Sequence, residues 1–240
     1  MSNSSRIDLN PAYVLHTRAY RETSQILDIF SADYGRVGLI ARGARRPKSS
    51  LRGVLNPFQP LRLSWSGRGE LATLREADLG GLAAVLTGDR LMAGFYVNEL
   101  LLKLLGRNDP HPDLFAHYIS LIAGIGSGEP LEPMLRRFEL QLLSELGYAI
   151  NLDNDALTHK PLVPDQYYEF HTEVGLVPAV EPQSDGLVFP GATLLAIGRM
   201  QFEDEDCLHA AKCLLRSVLN YHLGGKGLQT RRVAAAMKRT

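Results

Sequence analysis

The hydrophobic pattern of this chain changes its period near residue 80, and this change limits the folds open to it. Before that point apolar and polar side chains alternate, as Val37, Leu39 and Ala41 do with their neighbours. Alternation at every second residue is typical of strands with one buried face. It predicts five short strands, at about 13–20, 25–30, 36–42, 61–66 and 70–75. Five short antiparallel strands suit a closed barrel of the oligonucleotide-binding (OB) type, although an SH3-like barrel or a simple sandwich fits the same pattern.

After residue 80 the pattern becomes helical. Leu91, Phe95, Leu102 and Leu105 fall on one face of a helix that begins near Asp89. Further helices are predicted at about 114–122, 130–146, 190–200 and 204–223, whereas 151–190 has no helical stripe and only a short hairpin, 167–170 with 176–177. We therefore expect an α+β chain, with an OB barrel over 1–80. A mainly helical domain over 81–240 would follow, including an irregular insertion at about 150–190.

Positive charge is concentrated in the predicted barrel. The chain as a whole has 26 basic and 26 acidic residues, yet no Asp or Glu lies between Tyr34 and Gly69. That stretch contains Arg36, Arg42, Arg45, Arg46, Lys48, Arg52, Arg62 and Arg68. Such a field attracts polyanions, because each neutralised phosphate releases condensed counterions. Gly43 and Pro47 predict that residues 41–50 form a mobile connection, and a solvated surface without a partner is the alternative.

A groove for single strands needs cations along the phosphates and aromatic faces on which bases stack. The expected DNA-binding residues are Arg36, Arg42, Arg45, Arg46, Lys48, Arg52 and, as the stacking residue, Tyr34. Trp65 alternates in phase with Leu61 and Leu63, so we expect it in the core. No residue set looks able to read base edges, which predicts weak sequence preference or none.

Motifs of enzymes and metal sites are missing from the sequence. There is no phosphate-binding loop, no nucleophile elbow and no zinc-protease motif, so we expect neither catalysis nor a cofactor. The glycines of 223–228 indicate the end of a helix. Cys207, His209 and Cys213 project to different sides of one predicted helix, which argues against a metal site. No signal peptide or apolar run of roughly 20 residues is present, and we expect a cytoplasmic, nucleoid-associated protein.

Five segments, in order along the chain, resemble the bacterial recombination mediator family RecO. They are YVLHTRAYRETS at 13–24, DIF at 28–30, GRVGLIARGAR at 35–45, LRRFELQLLSELGY at 135–148 and YHLGGK at 221–226. The resemblance implies an N-terminal OB-fold, a helical middle and a C-terminal region that sometimes holds four zinc-binding cysteines. Residues 149–206 contain no cysteine, so that zinc site is absent here.

The resemblance also implies an activity without bond chemistry. Such a protein binds single- and double-stranded DNA, anneals complementary strands, contacts the single-strand-binding protein SSB and, with RecR, helps to load RecA. The acidic, apolar SSB tail requires an apolar cleft with cations, and Arg136 and Arg137 are the expected tail-binding residues. Their alternative role is local pairing with glutamates at helical spacing.

A second cationic cluster near the C-terminus contains Arg231, Arg232, Lys238 and Arg239. Arg231 and Arg232 are expected to form an accessory DNA contact, the alternative being a solvated tail. Two other classes of function remain open on the residues alone. One is an RNA-binding module, and the other is a protein scaffold with incidental DNA affinity.

Overall fold

The computed structural model describes residues 6–67, 69–180 and 187–237. The first part of the chain is β1 (Arg6–Tyr20), β2 (Ser24–Ser31), β3 (Gly35–Ala41), β4 (Leu61–Ser66), β5 (Ala72–Leu79), α1 (Gly88–Leu104) and α2 (Pro112–Ser127). The remainder is α3 (Leu131–Glu145), β6 (Tyr167–His171), β7 (Gly175–Ala179), β8 (Val188–Pro190), α4 (Gly191–Gly198), α5 (Glu205–His222) and α6 (Gln229–Met237). The chain packs as two compact units, divided after Glu129 and again before Leu228.

The first five strands close into a barrel in the order β1-β2-β3-β5-β4, which is the OB arrangement. All neighbouring strands are antiparallel except β3 and β5, which pair in parallel. β1 is long enough to pair with both β2 and β4, and register shifts near Ile7 and Val14 allow it to bend between them. The predicted OB barrel is confirmed.

The barrel interior is filled by the side chains that the alternating pattern places inwards. Val14, Leu27, Leu39, Leu63 and Trp65 are all buried there. Trp65, the single tryptophan of the chain, is therefore a core residue as expected. Removing this apolar surface from water, at roughly 25 cal/mol per Å², is the main stabilising contribution to the barrel.

Helices α1 and α2 cover part of the outer surface of the barrel, and α6 also belongs to this first unit. Tyr13 of β1 and Phe30 of β2 point outwards and contact Phe115 and Tyr118 of α2, with ring centroids 5.2–6.0 Å apart. Asn98 of α1 donates to the Leu15 carbonyl (3.0 Å) and accepts from the Tyr118 hydroxyl (2.8 Å). This part of the unit therefore has a second apolar core outside the barrel.

The buried face of α1 differs from the predicted one. The sequence suggested Leu91, Phe95, Leu102 and Leu105, but Phe95 is exposed and Leu91 and Leu102 are only half-buried. The buried face instead contains Ala93, Tyr96, Val97, Leu100 and Leu101. α1 is apolar on most sides, so its pattern did not determine which side meets the barrel.

The second unit consists of α3, α4, α5 and a small sheet in the order β7-β6-β8. The predicted hairpin is β6–β7, and β8 is a further strand that the sequence did not indicate. Asp204 caps α5 by accepting from the Cys207 N–H at 2.8 Å. α5 ends at the predicted glycines, where Gly224 and Gly225 have positive φ angles of 63° and 70°.

Candidate nucleic-acid interface

The basic loop, residues 42–60 between β3 and β4, is a series of turns. Backbone hydrogen bonds join Arg46 to Gly43 (3.0 Å), Ser49 to Arg46 (3.0 Å) and Arg52 to Ser49 (3.2 Å). The sequence pattern predicted a mobile connection between strands here. The connection is confirmed, and apolar residues of the loop pack it against the barrel. Its mobility stays a prediction.

Four apolar side chains hold the basic loop in place. Ala44 and Leu55 are buried in the barrel core, and Leu51 and Val54 pack against it. The charged side chains between these anchors are exposed, namely Arg42, Arg45, Arg46, Lys48 and Arg52. None of the five forms an ion pair with an acidic residue in the described part of the chain. The loop therefore presents five exposed cations from a backbone that is packed against the barrel.

The end of β1 and the turn that follows it add two further cations beside the basic loop, and the same turn contains the exposed Glu22. The Arg45 N–H donates to the Thr23 carbonyl (2.9 Å), and its guanidinium lies 3.4 Å from the Arg21 carbonyl. Arg21 is exposed and stands over the Tyr20 ring at 5.2 Å, and Arg18 is exposed on the adjoining strand. We call this turn and the basic loop together the basic rim. Sequence reasoning missed Arg18 and Arg21, although the predicted hairpin could have brought them to the end of β3.

Arg36 lies apart from the basic rim and is largely buried. Its guanidinium donates to the Leu102 carbonyl and, at 3.1 Å, to the Leu105 carbonyl at the end of α1. Burial lowers the pKa of Arg36, an effect that Asp28 at 3.7 Å opposes. Arg107 also pairs with Asp28, at 3.0 Å. These contacts give Arg36 a role in joining α1 to the barrel.

Tyr34 lies at the opposite end of β3 from the basic rim. The seven residues of β3 separate the two ends by about 20 Å. The Tyr34 ring packs edge-on against Trp65 at 5.4 Å and lines a shallow groove of about 220 Å³. Asp33 and Asp109 are exposed at this end. Tyr34 is therefore not brought together with the cations of the basic rim, and of the cations predicted to act with it only Arg36 lies at the same end of β3.

The outer face of β2 and β3, which OB-folds commonly use for oligonucleotides, is covered in this chain. Phe30 lies beneath Phe115 of α2. Further along the face, the Asn108 N–H donates to the Arg36 carbonyl at 2.9 Å. A Cβ atom on Gly38 would lie 2.6 Å from the Glu70 carbonyl oxygen and 2.5 Å from the Arg107 guanidinium, so glycine at this position lets both approach β3 closely. The basic rim thus gathers most of the exposed cations of the described barrel, with Arg62 and Arg75 exposed elsewhere on its strands.

Arg136 and Arg137 of α3 have different surroundings. Arg136 is buried and forms an ion pair with the equally buried Glu139 at 2.9 Å, with Glu132 at 4.0 Å. Arg137 is exposed and stands over the buried Phe202 ring at 5.7 Å. Local pairing, the alternative weighed above, is what Arg136 does in the structure, whereas Arg137 presents its charge to solvent.

The C-terminal cations are divided in a similar way. Arg231 of α6 donates to the Tyr96 hydroxyl (3.1 Å) and stands over that ring, whereas Arg232 is exposed. Lys238 and Arg239 lie outside the described residues. Within those residues, no group of three or more His, Cys, Asp or Glu side chains is arranged to hold a metal. Nor does any described helix combine the length and apolar character needed to cross a membrane.

The closed barrel and its basic rim define an OB-fold protein, a class that binds nucleic acids. Two family models match the chain: Recombination protein O N terminal at residues 8–82 and Recombination protein O C terminal at residues 86–232. The DNA repair protein RecO of Aromatoleum aromaticum is 48% identical over 234 residues, covering 97% of each chain. The RecO proteins of Azoarcus sp. and Dechloromonas aromatica are 46% and 44% identical with the same coverage. The chain belongs to the RecO family, and its role is in DNA repair and recombination.

Proposed function

We propose that this chain is a non-enzymatic recombination mediator. It binds single- and double-stranded DNA, anneals complementary strands, contacts SSB and acts with RecR to load RecA. The observation that carries the proposal is the basic rim, where a backbone packed against the barrel holds exposed, unpaired cations in a RecO-family chain. A nucleoid location follows from this activity.

DNA binds at the basic rim in this proposal. The contacts come from Arg42, Arg45, Arg46, Lys48 and Arg52, together with Arg18 and Arg21. Tyr20, half-buried beneath Arg21, is a better placed stacking residue than Tyr34, since Tyr34 lies about 20 Å away beside acidic residues. The buried contacts of Arg36 argue for leaving it out of the DNA-binding set.

Annealing then needs no chemical step. A cationic surface that holds two strands screens their mutual repulsion and raises their effective concentration. Each strand contributes the release of counterions, so both binding and annealing weaken as the salt concentration rises. Arg232 on α6 is an accessory contact in this scheme, while Arg231 acts mainly through Tyr96.

The SSB tail binds beside Arg137 in this proposal. An acidic tail with a terminal apolar residue needs a cation next to apolar surface, and Arg137 lies over the Phe202 ring. Arg136 supports the site from beneath through its pair with Glu139 and does not itself contact the tail.

The test is annealing of SSB-coated complementary oligonucleotides at two salt concentrations. The triple variant Arg42→Glu/Arg45→Glu/Arg46→Glu should lose annealing. It should also reduce the slope of log affinity against log salt for single strands by at least about 2, because three phosphate contacts are lost. The control, Lys160→Glu/Arg199→Glu/Arg216→Glu, makes the same charge change at exposed positions of the second unit. If the control variant lost annealing equally, the effect of the triple variant would be due to net charge and not to the basic rim. If the folded wild type did not anneal strands, the proposal would be overturned.

A further inference from the structure

Between β5 and α1 the chain has a linker segment, residues 82–87, with an unpaired backbone. It contains no helix, strand or turn. Within the described part of the chain, no backbone N–H or carbonyl of residues 82–86 forms a hydrogen bond. Backbone polar groups of folded proteins are nearly always paired, with each other, with side chains or with water. Five consecutive residues here are left to solvent or to a partner.

Two glycines hold the linker segment close to the helices of the first unit. A Cβ atom on Gly94 of α1 would lie 2.9 Å from the Leu86 side chain, which is buried. A Cβ atom on Gly126 of α2 would lie 3.1 Å from the Cβ of Ala84. The segment is therefore seated on α1 and α2, and its free backbone edge is held in a defined place.

Three apolar side chains in and just before the linker segment face solvent. Leu82 is 97% exposed, Val85 is 82% exposed, and Leu79 at the end of β5 is 61% exposed. A single exposed aliphatic side chain is ordinary on a protein surface. Three within seven residues, beside an unpaired backbone, form the kind of patch that marks an interaction site.

The charges around the linker segment limit which partner can bind there. Along the chain, no charged residue lies between Asp78 and Asp89, which are both exposed. Arg62 of β4 lies opposite Asp78, and the Arg90 guanidinium donates to backbone carbonyls at the end of α2. DNA and an acidic tail need several available cations, so neither suits this surface. An added protein strand needs unpaired N–H and carbonyl groups and apolar contacts for its alternate side chains, and both are present.

We propose that the linker segment, with Leu79, is a docking surface for a protein partner that lays an uncharged, apolar strand along it. Basic residues at the two ends of that strand would face Asp78 and Asp89. This inference rests on the proposed function, because RecR, the partner used to test it, comes from that proposal. Of the partners proposed above, DNA and the SSB tail are unsuited to an uncharged surface, and RecR is the partner that binds directly and is not excluded by charge.

The experiment measures binding of purified RecR to the full chain, by titration and by hydrogen–deuterium exchange. The variant Leu82→Asp/Val85→Asp alters only exposed side chains and should keep the fold. It should weaken RecR binding at least tenfold and leave annealing without RecR unchanged. In the wild type, the amides of residues 82–86 should exchange quickly alone and slowly in the complex. The matched control is Leu157→Asp/Val174→Asp, two exposed aliphatic residues of the second unit.

The outcomes separate this inference from the proposed function. If the wild type binds RecR and the double variant binds equally well, or if residues 82–86 gain no protection, the docking surface is wrong and the mediator proposal stands. If the wild type does not bind RecR at all, the docking surface and the RecR part of the proposed function both fail. The annealing activity is then judged by its own test.

Discussion

At the scale of single residues, the neighbours Arg136 and Arg137 show how much a position on a helix decides. The sequence presents them as equivalent cations, but a rotation of 100° separates adjacent side chains on a helix. Arg136 is directed inwards to Glu139, whose side chain is almost completely buried, and Arg137 is directed to solvent. Arg136 therefore contributes to the stability of the second unit, whereas Arg137 is available to bind a ligand.

Alanine substitutions should separate these two roles. Arg136→Ala removes the ion pair between Arg136 and the buried Glu139, and we expect it to lower the free energy of unfolding by about 3 kcal/mol. Arg137→Ala should change stability by less than about 0.5 kcal/mol, as surface substitutions usually do. It should also weaken binding of an SSB-tail peptide about tenfold, because a charge-assisted contact is lost. Urea unfolding and peptide titration measure the two effects, and unchanged tail affinity in Arg137→Ala would contradict the site.

At the scale of elements, the C-terminal helix α6 depends on a cap supplied by another helix. The Glu99 carboxylate of α1 accepts from the N–H groups of Gln229 and Thr230, both at 2.9 Å, and from the Thr230 hydroxyl at 2.8 Å. No side chain of α6 is fully buried. These polar contacts, with Arg231 on Tyr96, therefore carry much of the attachment of α6 to α1.

The attachment of α6 should depend on pH. Burial alone would raise the pKa of Glu99, but the hydrogen bonds from Thr230 and Gln229 outweigh it and hold the pKa below the ordinary glutamate value. The stabilisation is therefore complete above that ordinary value and is lost as the pH falls through the lowered pKa of the folded state. Glu99→Gln should remove this acid dependence and weaken the cap by about 1 kcal/mol. Hydrogen exchange of the α6 amides against pH tests this, and equal protection in variant and wild type would contradict it.

The basic loop shows which properties of an element the sequence could reveal. Its charge was evident, because no acidic residue interrupts residues 34–69. The packing of the loop on the barrel was not evident from the sequence. Leu51, Val54 and Leu55 have no periodicity that marks them as anchors, and only the closed barrel provides a core for them to enter. The contacts of Arg36 were not predictable, for a related reason. Its carbonyl partners, Leu102 and Leu105, lie more than sixty residues away in the sequence.

At the scale of the first unit, the barrel and its helices are joined by a second apolar core that lies outside the barrel. The strand pattern, and with it the five-stranded barrel, was predictable because one face of each strand is buried. The second core was not, because Tyr13 and Phe30 occupy positions that the alternation assigns to the outside. The boundary predicted at residue 80 stays a prediction, and the aromatic cluster between β1, β2 and α2 gives a way to test it.

Phe115→Ala should destabilise the barrel although Phe115 belongs to α2. It removes ring contacts to Tyr13 and Phe30, and we expect a loss of about 3 kcal/mol. Trp65, buried in the barrel, reports this loss through its fluorescence during urea unfolding. Ile119→Ala, at an exposed position of the same helix, is the control and should shift the midpoint little. An unchanged Trp65 transition in Phe115→Ala would mean that the barrel folds independently, as a boundary at residue 80 predicts.

Because the β2–β3 face is covered, a bound DNA strand would meet its complementary strand differently from a strand on an open OB face. On an open OB face, a bound strand lies across the sheet with its bases turned towards the protein. Under the proposed function, the strand here is bound along its phosphates at the edge of the barrel, and its bases, apart from one stacked on Tyr20, remain turned outwards. A complementary strand can then pair without displacing the protein first, and the finished duplex leaves without unthreading. The chain would bind DNA without enclosing it.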